Sequence, residues 1–506
     1  MRRPRQRNLF ADQLPSFSRP GPSKDRIGVV DVGSNSVRMV VFEGGRRCPA
    51  VVFNEKVMCG LGSELAETGR LSPNGVERAL RALRRFVAVA PGLQVGALSG
   101  VATSAVRDAA DGTAFCRRVT RETNIRLEVA SGADEARLAA QGVLFGDPGA
   151  DGLVIDVGGA SMEICPIRAG TRGAGVSTPL GPLRFAKSTT AETTKIVDEV
   201  LRPLTGRFQR GADRLYLVGG AWRALGRVHI ARSDYPLPVL HEFAFSADDA
   251  RQLTNFVQGA PRDALSAIQG VSSSRVSALP HAALLLEALL DAFEPSEIVI
   301  SGFGLREGVC YESLPAAIRR EDPLISTAMG HEQTRARAPG FGGDLWPWLL
   351  GAVPAEDEAE ARLIRAACHL SDVSWRAHPD YRTRACSEII TRVNLSGAGH
   401  RGRAFIGAML VARYKGGRRA LSEEPWVSLL DKPAQARAAA FGALMRLGAT
   451  LAGATPGFLP HCPLVLDGGT LRLVPEPSAE IILGEEVEKR LGQAARAFDL
   501  DWEIAA

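Results

Sequence analysis

A glycine-rich strand–turn–strand occurs twice in this chain, about one domain apart. The first copy runs from Ile27 to Phe42 (IGVVDVGSNSVRMVVF) and the second from Leu153 to Ile167 (LVIDVGGASMEICPI). Each begins with a β-branched run that ends in an acid, Asp31 or Asp156. Each then turns through small residues, Gly33-Ser34-Asn35-Ser36 or Gly158-Gly159-Ala160-Ser161, and resumes with a second apolar run. A glycine after a strand lets backbone N–H groups point outward with no Cβ in the way, and small hydroxyls add donors. That is the chemistry of a phosphate cradle. The acid beside it can hold a hydrated divalent cation, which neutralises phosphate charge. Two such turns facing one another would grip a phosphate chain from both sides.

The rest of the composition narrows the class. At 506 residues, 45% apolar and 23% charged, the chain has the make-up of a soluble globular protein with room for three or four domains. No apolar stretch approaches the roughly eighteen residues that span a bilayer, so no membrane association is expected. Residues 1–23 are Arg- and Pro-rich without a continuous apolar core, which reads as a disordered lead-in and not as a secretory signal. Eight cysteines are scattered with no CxxC pair, a pattern that suits a reducing cytoplasm and argues against a zinc ribbon or a disulfide framework. Only 7 of the 61 basic residues are lysine. Arginine forks suit a polyanion, but genomic GC bias would give the same excess, so charge alone selects no ligand. With aromatics at 6%, the basic–aromatic interleaving of nucleic-acid binding is missing.

Periodicity divides the chain into 24–148, 149–311, 312–455 and 456–506. The first part holds a helix over 73–89 with apolar Val76, Leu80, Leu83 and Val87, strands over 95–98 and 126–130, and a helix opened by SGADEARL. Asp147-Pro148-Gly149 marks its end. The second part begins with the second glycine turn and alternates helix and strand to EIVISGFGLREGV. Strands first, then alternating helices and strands, imply a mixed sheet in an α/β fold. From 312 helical patterns dominate, over 359–370, 386–393, 403–414 and 433–451. The last part reads as a small α/β appendage: a hairpin through Asp467-Gly468-Gly469, a helix over 484–497 and a strand over 502–504.

Six ordered segments, DVGSNSVRMVV, VATSAVRDA, SGADEARL, VIDVGGASMEI, LGPLRF and VGGAWRAL, together resemble the exopolyphosphatase / guanosine pentaphosphatase (Ppx/GppA) family of the actin-like phosphotransferase superfamily, over about residues 27–310. The C-terminal half, with ACHLSDVSWRAHPDYR, resembles that family's helical HD-like extension less specifically. The resemblance implies two ribonuclease H-like domains flanking a cleft, followed by a mainly helical domain and the appendage. It also implies hydrolysis of the terminal phosphate of inorganic polyphosphate, or of the 5′ γ-phosphate of guanosine pentaphosphate, with Mg²⁺ and K⁺. A homodimer in the cytoplasm belongs to the same expectation.

The resemblance also assigns roles. Glu135 in SGADEARL is the acid that activates the attacking water. A carboxylate near a phosphate site suits a base or orienter, since a cation could stabilise charge but could not take a proton. Asp134 beside it is a second acid, or else the charge favoured in the first turn of a helix. Asp31, Asp156 and Glu163 are the cation-site acids, and Ser161 and Glu163 share a strand face. Arg107 is the phosphate-binding arginine. Gly33, Ser34, Asn35 and Ser36 contact one phosphate; Gly158, Gly159 and Ser161 contact another; Gly219 and Gly220 form a further turn. Ala160 stands where the family usually has a third glycine. Trp222 and Arg223 would crowd a nucleotide base at the last turn. In the C-terminal half His369, Asp372, His378, Asp380 and His400 suggest a metal, but an HD site needs an adjacent His-Asp pair and the chain has Ser371-Asp372. A structural helical domain lengthening a basic channel is therefore expected there. Neither the base nor the turns see the leaving group, so polyphosphate and guanosine pentaphosphate stay unseparated. An ATP-dependent sugar kinase is disfavoured by the SGADEARL glutamate, and a receptor for guanosine tetraphosphate by the intact Glu135, Asp156 and Glu163.

Overall fold

The first glycine turn closes a hairpin between β1 (Arg26–Val32) and β2 (Ser36–Phe42), with Asp31 directly opposite Arg38. β3 (Val51–Met58) pairs antiparallel with β2, while β4 (Val95–Ala102) and β5 (Leu127–Val129) extend the sheet in parallel, giving the order β3-β2-β1-β4-β5. Both faces of β1 and β2 are covered. Val30, Val32, Val37 and Met39 join a core with Leu80, Leu83 and Phe86, whereas Val29, Val40 and Phe42 join a second with Phe145 and Cys310. That is why the two strands read as nearly unbroken apolar runs. The helix Pro73–Val89 forms over the expected residues; the Ser72 hydroxyl accepts the Gly75 N–H and Pro73 occupies the first turn. This description comes from a computed structural model covering residues 26–505 apart from 45, 186–187, 209–212 and 416–420. The lead-in expected over 1–23 lies outside the described residues.

The second turn closes the equivalent hairpin between β6 (Gly152–Val157) and β7 (Met162–Arg168), where Asp156 stands opposite Glu163. β8 (Thr171–Arg172) and β9 (Val176–Thr178) pair with β7. On the other side β10 (Arg214–Val218) runs parallel to β6, and β11 (Phe243–Ser246) and β12 (Glu297–Ser301) complete the order β11-β12-β10-β6-β7-β8. Each sheet thus centres on its acid-bearing strand, with an antiparallel hairpin on one side and parallel strands on the other. These are the tandem ribonuclease H-like domains of an actin-like fold.

The chain divides into two compact units. One holds everything up to Ala231 together with Ala244–Arg320, and so both large sheets; the other holds Arg232–Phe243 and Glu321–Ala506. The helices Leu305–Ser313 and Ala316–Arg319 stay with the first unit. In the second, the helices Pro323–Arg335, Phe341–Ala352, Glu358–Leu370, Arg382–Arg392, Gly399–Lys415 and Lys432–Leu451 surround one apolar core. A small sheet of β13 (Leu464–Asp467), β14 (Thr470–Leu473) and β15 (Asp501–Ile504) follows, with the helix Glu485–Ala497. Gly468 and Gly469 adopt φ of 54° and 85°, the two positive values that a tight hairpin turn demands.

Residues 232–243 are bound to this second unit. Glu242 accepts the N–H groups of Gly397 and Gly399, and His400 Nδ1 lies 3.0 Å from the Tyr235 hydroxyl while its Nε2 faces the His241 carbonyl at 3.3 Å. Asp372 is shared by Arg337 and Arg413, each at 3.2 Å, and His369 Nδ1 meets Glu332 at 2.6 Å. Both groups lie inside the helical core. Among the described residues no helix is long and apolar enough to cross a membrane.

Candidate active site

The two glycine turns are built alike. Gly33 N–H donates to the Ser36 carbonyl and Gly158 N–H to the Ser161 carbonyl, each at 3.0 Å. This leaves the N–H groups of Ser34, Asn35, Gly159 and Ala160 without an acceptor among the described residues. The turns face one another: a Cβ on Gly159 would stand 3.3 Å from the Cβ of Ser34 and 3.0 Å from Leu183 Cδ1. Ser34 Oγ in turn lies 3.2 Å from Ser104 Oγ. Two sets of outward N–H donors therefore line one narrow space, the geometry of an anion nest.

Four carboxylates converge beside them. Asp31 and Asp156 lie near the C-terminal ends of β1 and β6, and strand pairing puts Glu163 across from Asp156. Glu135 enters from the first turn of the helix Gly132–Gly146. Its neighbour Asp134 is occupied in a capping box, accepting the Ser131 N–H at 3.1 Å while the Ser131 hydroxyl accepts the Asp134 N–H at 3.1 Å. Only Glu135 of the pair is buried, at 8% exposure. Gly132 opens this helix because a side chain there would collide with Ser177, whose hydroxyl donates to Glu163 at 2.8 Å.

The acids raise one another's pKa. Burial lifts Glu135 to about 7 against the pull of Arg107, with Asp31 and Asp108 adding to the rise. Burial and then the Glu135 charge lift Asp156 to about 7. Glu163 goes well up through burial, Glu135 and Asp156, and Asp31 goes up through burial despite Arg306 and Arg38. Negative charge is costly here until a cation arrives. Among the described residues no three His, Cys, Asp or Glu side chains are already set to ligate one ion. The donors are hard oxygens of the kind Mg²⁺ takes, and an ion held by one or two of them would complete its shell with water and phosphate oxygens.

Arg107, read from sequence as a phosphate ligand, is engaged by protein. Its Nη1 pairs with the Glu135 carboxylate and donates to the Ala130 carbonyl at 2.9 Å, and its Nε donates to Asp108 at 3.2 Å. Asp108 also lies 3.6 Å from Arg184 Nη2, and Arg184 Nε donates to the Ala160 carbonyl of the second turn at 2.8 Å. An ionic chain thus runs from Glu135 to the facing turn.

Gly219 has φ of 121°, and a Cβ there would stand 2.7 Å from the Val157 carbonyl and 3.3 Å from Asp156 Oδ1. Glycine lets this loop close over Asp156. The expectation that Trp222 crowds a base is corrected: Trp222, in the first turn of the helix Gly220–Arg232, is fully buried. The group over the loop is Arg275, whose guanidinium packs on Gly220.

Arg275 belongs to a set of which sequence reasoning singled out only Arg223. Arg38, Lys56, Arg223, Arg275 and Arg306 surround the acids and repel one another. Burial and then Arg306 take Arg38 down to about 10; burial and then Arg275 take Lys56 down to about 8. Burial lowers Arg223 and Arg275 as well. Their protein contacts are few: Arg306 Nε reaches Asp31 at 3.9 Å and Arg223 Nη1 reaches the Gly302 carbonyl at 3.3 Å. One signal was present in the sequence. Arg38 follows Asp31 at the same spacing at which Glu163 follows Asp156, so the repeat itself marks Arg38 as facing the site.

Comparison with known proteins places the chain in a family. Residues 40–317 match the sequence profile of the Ppx/GppA phosphatase family, and residues 324–499 match that described as exopolyphosphatase, C-terminal. Retrograde regulation protein 2 of Saccharomyces cerevisiae is 25% identical over 455 residues, 81% of this chain and 76% of that protein. Exopolyphosphatase 1 of Mycobacterium tuberculosis is 26% identical over 326 residues, 62% of this chain and 94% of that protein. Among solved structures, an exopolyphosphatase from Cytophaga hutchinsonii superposes with a TM-score of 0.52 at 27% identity, covering 57% of this chain and 97% of its own. The Aquifex aeolicus Ppx/GppA family member gives a TM-score of 0.51 at 24% identity over 56% of this chain and 96% of its own, a likeness of fold.

Proposed function

The chain belongs to the Ppx/GppA phosphatase family, and on that premise we propose that it is a Mg²⁺-dependent exopolyphosphatase that removes terminal phosphate from inorganic polyphosphate. The observation that carries this reading is the wall of five poorly partnered cations beside four coupled carboxylates. Cations that repel one another need an extended polyanion, and a phosphate chain supplies one negative charge after another.

Each group then has a task. Arg38, Lys56, Arg223, Arg275 and Arg306 draw in the chain and hold it by its non-bridging oxygens. The N–H groups of Ser34 and Asn35 on one side, and of Gly159 and Ala160 on the other, clasp the terminal phosphates and stabilise charge on the transferred phosphoryl group. Glu135, poised near neutrality, takes a proton from the attacking water. Arg107 aims that carboxylate and gains a phosphoryl oxygen as a further partner when substrate enters. Asp31, Asp156 and Glu163 would hold Mg²⁺, which neutralises phosphate charge when bound. Their mutual repulsion without a cation is the feature that fits them to it.

Guanosine pentaphosphate is the alternative substrate, served by the same residues acting on its terminal phosphate. A receptor role is favoured by one observation only, the breadth of the match to a protein named for regulation; a buried, raised Glu135 has no use in it. Phosphate release from long-chain polyphosphate, guanosine pentaphosphate and ATP, at equal concentrations of phosphate ends and with and without Mg²⁺, tests the reading. Fastest turnover on polyphosphate supports it; preference for guanosine pentaphosphate replaces it, and inactivity on all three overturns it.

A further inference from the structure

In the second unit a cavity of about 540 Å³ opens between the helices Gly399–Lys415, Lys432–Leu451 and Glu485–Ala497. Small-ligand pockets span roughly 300–1,000 Å³. Its floor is Ala436, Ala439 and Ala443, whose spacing places three methyl groups on one helix face. The remaining wall is basic. The guanidiniums of Arg446 and Arg496 line the cavity and make no hydrogen bond or ion pair among the described residues. Arg413 and Arg490, paired through Nη2 with Asp372 and Glu486, each bury an Nε without an acceptor among the described residues. Arg490 Nη1 donates to the Gln493 side-chain oxygen at 2.8 Å, which leaves the Gln493 amide hydrogens for the cavity. Asp499 stands at the rim.

These groups discriminate among ligands. An apolar molecule would leave two guanidiniums unpaired. A bare phosphate chain would pair them, but it would leave the methyl floor uncovered and meet the Asp499 carboxylate. A nucleotide meets all three demands: phosphate oxygens on Arg446 and Arg496, a planar base on the alanine floor, and base or ribose donors towards Asp499. We propose that this cavity is a nucleotide-binding site carried by the helical unit, additional to the phosphate turns of the first unit. Burial, followed by the charge of Arg490, holds the Arg446 guanidinium below its usual range against the opposing pull of Glu486.

Hydrogen–deuterium exchange on the full chain tests this, with β,γ-methylene analogues of ATP and GTP as probes and inorganic tripolyphosphate as the comparison. Slower exchange in peptides covering 405–415, 436–446 and 486–499 is expected with a nucleotide analogue. That protection is lost in Arg446→Ala/Arg496→Ala. It is lost also in Ala443→Met, which fills the floor and keeps both arginines. Absence of protection at millimolar nucleotide overturns the proposal, as does protection that survives both variants. Equal protection by tripolyphosphate overturns the assignment of a nucleoside. Peptides of the two glycine turns report the first unit separately, so a nucleotide seated only there is recognised as such.

Discussion

Glu135 and Asp134 are adjacent acids with opposite employment. Asp134 closes the capping box of its helix, whereas Glu135 is buried among three other carboxylates. Glu135→Gln is expected to lower turnover on the order of 10²–10⁴-fold with polyphosphate affinity held or tightened, because one negative charge leaves the site. Asp134→Asn should keep turnover while costing about 0.5–2 kcal/mol at the helix end. Steady-state kinetics and thermal melts on the two variants separate the roles; a dead Asp134→Asn beside an active Glu135→Gln would reverse them. Since Glu135 must be ionised to accept a proton and its pKa lies at about 7, kcat/KM should climb as pH rises through neutrality and then level off. Asp156 carries the stability counterpart. Its folded pKa, about 7, is above the unfolded 3.8, so the fold favours the protonated acid. The associated stability is full below pH 3.8 and is lost as pH climbs to about 7. In metal-free buffer at pH 8, Asp156→Asn should therefore melt higher than the native chain, by roughly 2–4 °C for each kcal/mol recovered, while losing activity. Asp31, Asp156 and Glu163 were legible because a repeated strand–turn–strand carries them, and Glu135 only through the resemblance of SGADEARL. Arg275 and Lys56 were not, because a lone basic side chain outside any motif gains meaning only from what folds against it.

Two helices decide where Glu135 and Arg306 stand. Gly132–Gly146 carries the acid in its first turn and Leu305–Ser313 carries the arginine in its own. They cross backbone to backbone: a Cβ on Gly142 would strike the Gly304 carbonyl, and one on Gly308 would strike the Leu138 carbonyl. Gly308→Ala must force the helices apart, at a cost of about 1–3 kcal/mol for an overpacked contact, and should depress turnover more than it raises KM. Circular dichroism melts and initial rates measure the two effects; an Ala variant with native rate would show that the crossing does not position the site. The sequence marked the helix opened by SGADEARL and its first-turn acids, whereas EIVISGFGLREGV read as a strand feeding a turn and hid the helix Leu305–Ser313. It gave no sign of the crossing, because a glycine needed for close approach looks the same in the chain as one needed for a turn.

At the level of the whole molecule the units are unlike in what they offer chemistry. The phosphate turns and the coupled acids lie in the first, while the second contributes a helical core in which Asp372 and His369 are tied up by Arg337, Arg413 and Glu332. A chain ending at Arg320 should retain hydrolysis of short polyphosphate and lose disproportionately on long chains, since salt-sensitive contacts to many phosphates accumulate along a chain. Phosphate release from both lengths over a range of ionic strength checks this; equal losses would assign the second unit to folding alone. That truncation also strands 232–243, whose Leu237 and Phe243 are buried in the intact chain. Replacing those residues with a Gly/Ser linker is therefore part of the experiment. Helical content after residue 312 was readable from apolar periodicity, but not that a twelve-residue segment from the middle of the chain completes it, because nothing local distinguishes a strap from a surface loop.

The strap has a consequence for biosynthesis. Glu242 and Tyr235 leave the ribosome well before Gly397, Gly399 and His400, the residues that receive them. At ~5–20 residues per second the interval is on the order of 10–30 s. Through that time Leu237 lacks the helical core that buries it in the finished chain. The nascent chain is thus most exposed to wrong association at its midpoint and not at its ends. Chaperone contact during translation should concentrate on 232–243 and be released once residue 415 has emerged.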